Sequence, residues 1–110
     1  MSELLTIARP YAKALFKSAK EQNMLDIYFD MLKNLNLVIN DKSVKSILSN
    51  DSFDNKYKVG LLTEILKGNS DESFLRFINL LAENNRLLVV REIVGLYDSF
   101  LQEEKSLKTA

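Results

Sequence analysis

In Leu25-Asp26-Ile27-Tyr28-Phe29-Asp30-Met31-Leu32-Lys33-Asn34-Leu35-Asn36-Leu37-Val38-Ile39, the residues Leu25, Tyr28, Leu32, Leu35 and Ile39 recur at i, i+3 and i+7. That interval returns each side chain to one side of a 3.6-residue helix, and Phe29 and Met31 widen the stripe. A half-buried strand needs strict alternation, which is hard to find anywhere in the chain. The segment is a helix with one face turned to a core.

Outward from it the same rhythm continues. Val44, Ile47 and Leu48 suit a short helix after Asp41, a good N-cap. Tyr57, Leu61, Leu62, Ile65 and Leu66 mark another, ended by Gly68-Asn69. Gly60 inside it costs up to about 1 kcal/mol against Ala, so close packing is expected there. Ser70-Asp71-Glu72 opens a helix with a capping side chain and two carboxylates at the positive end of its dipole. Asn84-Asn85 closes it, Asn being second to Gly at the left-handed position. Val90, Ile93, Val94, Tyr97, Phe100 and Leu101 describe a last long helix, and the sequence turns polar from Glu103. Pro10 belongs in or near the first turn of the opening helix, where a missing N–H costs least. The expected fold is all-α, a compact bundle of about six helices. One domain is expected over residues 1–104, with 105–110 as a polar tail or linker.

Composition excludes several classes of function. A chain of 110 residues closes one hydrophobic core without staples. Fifteen basic and 15 acidic residues cancel, which disfavours a dedicated nucleic-acid binder. With no Cys and no His, the chain lacks thiolate chemistry, the usual general base and the commonest transition-metal ligands. No cofactor is expected. No apolar run approaches the roughly 20 residues that span a bilayer, so no direct membrane insertion is expected. Neither a secretory signal nor an Arg-rich transit peptide is visible, which points to a bacterial cytoplasmic setting.

Other polar clusters read as ordinary surface. Asp26 and Asp30 form a solvated face beside Lys33. Asp51-Ser52-Phe53-Asp54-Asn55 lacks the Gly and terminal Glu of a calcium loop and reads as a turn and helix cap. Lys42, Lys45, Lys56 and Lys58 read as solubilising charge.

Two helices carry more apolar surface than one core contact needs. On a 100° wheel, Ile7, Ala8, Tyr11, Ala12, Ala14, Leu15, Phe16 and Ala19 cover an arc of about 200°, against the ~100° of a one-sided surface helix. Ala8, Ala12, Leu15, Phe16 and Ala19 make one flank, with small residues that permit close helix approach. Ile7, Tyr11, Ala14 and Ser18 make the other. In the helix from Asp71 to Asn84, Phe74, Leu75, Ile78, Leu81 and Ala82 form the inward face. Leu80 lies outside it, flanked by Phe77, with Ser73 and Asn84 completing a second stripe. Periodicity alone leaves open whether these two helices adjoin.

Two blocks bear on that question. Ala8-Arg9-Pro10-Tyr11-Ala12-Lys13-Ala14-Leu15-Phe16 and Asn79-Leu80-Leu81-Ala82-Glu83-Asn84-Asn85-Arg86-Leu87 stand in order and at a fitting separation. Together they resemble the N-terminal domain of the bacterial ATP synthase delta subunit, counterpart of the mitochondrial oligomycin-sensitivity-conferring protein. The resemblance covers most of residues 4–101. It implies a non-catalytic stator domain, peripheral on the cytoplasmic face of the bacterial inner membrane. It further implies that the first and fifth helices share a groove for the N-terminal amphipathic helix of an alpha subunit. The partner-binding positions would be Ile7, Tyr11, Ala14 and Ser18 on one helix and Ser73, Phe77, Leu80 and Asn84 on the other. The family's C-terminal domain, which engages the peripheral-stalk b subunit, is absent from these 110 residues, so an isolated N-terminal domain or a fragment is expected. Relatives often carry Gly where this chain has Asn85, and a Pro near Val90-Arg91 that this chain lacks. The alternative is a small helical RNA-binding module of the antitermination-factor type; a helical enzyme ranks third.

Overall fold

A computed structural model describes residues 3–109 of the chain. Met1, Ser2 and Ala110, the ends of the expected domain and tail, lie outside the described residues. The chain forms Glu3–Glu21 (α1), Leu25–Asn40 (α2), Lys42–Leu48 (α3), Asn55–Ile65 (α4), Glu72–Glu83 (α5) and Val90–Thr109 (α6). A single 3-10 turn, Leu87–Val89, leads into α6, and there is no strand among the described residues. The all-α bundle expected from the periodicity is what forms.

Local chemistry sets most boundaries. Asp41 accepts the backbone N–H groups of Ser43 and Val44 at 3.1 and 3.2 Å. Asp54 accepts that of Tyr57 at 2.8 Å, and Asp71 that of Phe74 at 2.8 Å. Each cap satisfies a donor that the helix cannot, which is worth about 1 kcal/mol. The turns after α1, α4 and α5 place Asn23, Gly68 and Asn85 at φ 57°, 86° and 56°. That left-handed geometry is open to Gly and tolerated by Asn.

The core is built around α2 and α6. Ala8, Ala12 and Ala19 of α1 are fully buried, and α1 makes its most extensive backbone contact with α6. Small side chains permit that approach, as the alanine flank predicts. Tyr97 of α6 is enclosed by Phe16 edge-on at 5.3 Å and Phe29 stacked at 5.6 Å, and its hydroxyl donates to the Leu25 carbonyl at 2.7 Å. Tyr28 of α2 packs edge-on to Phe74 at 6.1 Å. Its hydroxyl donates to the Asp71 carboxylate at 3.0 Å, so the group that caps α5 also ties it to α2. Burial raises both tyrosine pKa values above the ordinary 10.0.

Four expectations need correction. Pro10 sits inside α1 rather than in its first turn, because Glu3 to Arg9 are already helical. The helix tolerates the missing N–H at an exposed position. Residues 105–109, expected as tail or linker, continue α6, whose last turns are tied by Lys20–Glu104 at 3.0 Å and Lys105–Asp26 at 3.3 Å. Polarity does not end a helix where neither Gly nor Pro follows. In α4, Tyr57 and Ile65 are 50% and 45% exposed, while the inward row is Lys58, Leu62 and Leu66. Lys58 is therefore not an open surface side chain: it is only 8% exposed, unlike Lys42, Lys45 and Lys56.

Gly60 is the fourth. A Cβ there would meet nothing within 4 Å, and the same holds at Gly95 of α6. No close packing requires either glycine. Gly60→Ala and Gly95→Ala are each expected to raise stability by about 0.5–1 kcal/mol, because alanine loses less backbone entropy on entering a helix. Urea unfolding measures this, and a lower midpoint for either variant would contradict the open surroundings.

Candidate partner-binding surface

On α1 the alanine row turns inward, which leaves the opposite flank to solvent. Ile7, Tyr11 and Ser18 are half-buried and Ala14 is exposed. Their spacing of four, three and four residues keeps them on one side of the helix. Tyr11 and Ile7 lean against the core with part of their surface uncovered.

On α5 the corresponding stripe is Ser73, Phe77, Leu80 and Asn84, at the same spacing. Leu80 is 42% exposed, whereas its neighbour Leu81 is fully buried with Phe74 and Ile78. Ser73 is half-buried and Asn84 exposed. Phe77 departs from the expected open flank: it is only 7% exposed and packs on Phe74 at 5.7 Å. Its ring supports the stripe from beneath. Arg76 stands beside Leu80, donating to Ser73 Oγ at 2.9 Å and pairing with Glu72 at 3.6 Å. The apolar spot is thus edged by a guanidinium held to its own helix.

The fold brings each set of four onto one helix face. Both helices also pack on the 3-10 turn Leu87–Val89. Sequence reading missed two other apolar surfaces. The first is a shallow cavity of about 330 Å³ between α1 and α6, walled by Phe16, Phe100 and Leu107. The second is the outer row of α4, where Phe53 stacks on Tyr57 at 4.9 Å. The four-residue spacing of Phe53, Tyr57, Leu61 and Ile65 was the available signal for the latter.

Among the described residues, no helix is long and apolar enough to cross a membrane. No cluster of three or more His, Cys, Asp or Glu residues suited to a metal ion occurs among them either. The surface offers apolar contact and hydrogen bonds rather than a reactive centre.

Comparison with known proteins agrees with the two sequence blocks. The family model described as ATP synthase delta (OSCP) subunit matches residues 7–110. The ATP synthase subunit delta of Marinobacter nauticus is 38% identical over 108 residues, covering 97% of this chain and 61% of the relative. That of Hydrogenovibrio crunogenus is 32% identical over 104 residues, covering 94% and 58%. That of Francisella tularensis subsp. mediasiatica is 34% identical over 110 residues, covering 100% and 61%. The chain spans about three-fifths of the length of these relatives. It belongs to the ATP synthase delta (OSCP) subunit family.

Proposed function

We propose that this chain is a non-catalytic adaptor within the stator of a rotary ATP synthase. It receives the N-terminal amphipathic helix of an alpha subunit along Ile7, Tyr11, Ala14 and Ser18 of α1 and Ser73, Leu80 and Asn84 of α5, with Phe77 as support. Contact with the peripheral-stalk b subunit falls to the part of the subunit by which the relatives are longer. The complex works on the cytoplasmic face of the bacterial inner membrane, where this domain helps hold the catalytic head against rotor torque. Resisting torque needs a slow off-rate, which buried apolar contact supplies better than screened surface charge.

The observation that carries this reading is Leu80, a large apolar side chain left 42% exposed on a helix whose core face is already complete. Helix-in-groove recognition uses such anchors at three- and four-residue intervals. Titration with an alpha-subunit N-terminal peptide tests it. Leu80→Ala is expected to weaken binding by about 10- to 100-fold, since the lost burial is worth about 1–3 kcal/mol. Tyr11→Ala should show a similar defect. Raising salt should weaken the complex modestly, whereas an RNA partner would lose decades of affinity through counterion release. Unchanged peptide binding by Leu80→Ala refutes the groove, and a steep salt slope with RNA in place of peptide refutes the adaptor.

A further inference from the structure

Lys58 heads the inward row of α4, followed one and two turns later by the buried Leu62 and Leu66. Helical spacing calls for an apolar side chain at that position, and the chain places an ammonium there. At 8% exposure it is the only buried charged residue among those described. None of the ion pairs or side-chain hydrogen bonds of the described residues involves it. Its ammonium is not sealed in, since the one fully shielded side-chain polar atom without a partner is Ser70 Oγ. Lys58 also lines a pocket of about 250 Å³.

The other walls define what fits. Ser49, Asn55 and Asn85 supply neutral donors, and Leu87 supplies an apolar wall. Asn55 is also the first residue of α4, so the positive end of that helix borders the pocket. Asp51 contributes one negative charge to the lining but forms no ion pair with Lys58. A volume of 250 Å³ is below the roughly 300–1,000 Å³ of small-molecule sites. It is ample for one side chain. The single cation selects a negative group, and Asp51 opposes a doubly charged one such as phosphate.

We infer that this pocket receives a glutamate or aspartate side chain from a partner protein, its carboxylate held by the Lys58 ammonium and the asparagine amides. The contact is separate from the α1 and α5 flanks and does not depend on the groove reading. It fixes the register of a bound partner, because a charge pair beside apolar walls is screened less than one on open surface. In the free protein, water hydrates the ammonium.

Amide shifts of the 110-residue chain test the inference, with N-acetylglutamate amide, N-acetylglutamine amide and inorganic phosphate titrated at constant ionic strength. Saturable shifts at Asn55, Asn85 and Leu87 are expected with the glutamate probe alone. Lys58→Met keeps the aliphatic stem and should abolish them, whereas Lys42→Met should not. Asp51→Asn should tighten glutamate binding by about two- to fivefold, as expected for removing one exposed like charge. That arm decides the matter if Lys58→Met fails to fold. Equal shifts with the glutamine probe, stronger shifts with phosphate, no saturation, or no tightening in Asp51→Asn would each overturn the assignment.

Discussion

Leu81→Ala is expected to lower the free energy of unfolding by about 2–5 kcal/mol, while Leu80→Ala changes it by about 1 kcal/mol or less. The two leucines are adjacent in sequence and separated by about 100° on the helix. Leu81 is fully buried, so its truncation removes apolar burial and leaves a cavity bordered by Phe74 and Ile78. Leu80 is 42% exposed, and alanine there opens onto solvent. A domain of this size is stable by only about 5–15 kcal/mol, so the first change alone takes a large share of the total. Urea unfolding of both variants, with unchanged m-values, measures the difference. Equal losses would mean that α5 is rotated from the orientation described, and the proposed partner stripe would move with it.

Alkali should unfold the protein steeply, and two tyrosines are responsible. Tyr97 is pushed far above its ordinary range, first by desolvation and then by the negative charge of Asp26 and by Tyr28. Tyr28 is raised by desolvation above all, with the Asp71 carboxylate adding to the effect. Both hydroxyls donate hydrogen bonds that the phenolate cannot make, to the Leu25 carbonyl and to Asp71. Since the folded state holds these protons more tightly than the unfolded chain, stability is fully present below the unfolded pKa near 10.0. It falls as pH rises from there through the folded values. The slope approaches about 1.4 kcal/mol per pH unit for each tyrosine. Urea unfolding between about pH 8 and pH 11 should reveal this fall. Tyr97→Phe should flatten it even where the substitution costs stability at neutral pH. A profile that stays level into the alkaline range, or one that is equally steep without Tyr97, contradicts this account.

How far the sequence alone reaches differs from helix to helix, for physical reasons. In α5, Glu72, Arg76, Asn79 and Glu83 occupy the side opposite Phe74 and Ile78, so charge and burial point to one orientation. Leu80 could be separated from Leu81 on that basis. In α4 the apolar residues form two adjacent rows, and hydrophobicity cannot say which one turns inward. The structure selects the row that contains Lys58, since a lysine stem is apolar over most of its length. The end of α6 was unreadable because its last turns are stabilised by Lys20 and Asp26, which lie on other helices. For the candidate surface, the helical spacing of each flank is legible on its own helix. The depth of Phe77 is not legible there, because it depends on Phe74 and the core behind it. The mutual placement of α1 and α5 is set by what both touch, including the 3-10 turn, and periodicity carries no information about that.

The pairing of α1 with α6 joins the two ends of the described chain, as in the Lys20–Glu104 bridge between residues 84 positions apart. During synthesis, α1 emerges from the ribosome before the helix that covers its alanine row has been made. At about 5–20 residues per second, the wait for those 84 residues is on the order of 10 s. Throughout that interval Phe16 lacks Tyr97 and Phe100, and an amphipathic helix without its partner is only marginally stable in water. The α1 face that packs on α6 therefore gains its cover only late in synthesis. Until α6 is made, the nascent segment presents the kind of exposed apolar helix that holding chaperones bind.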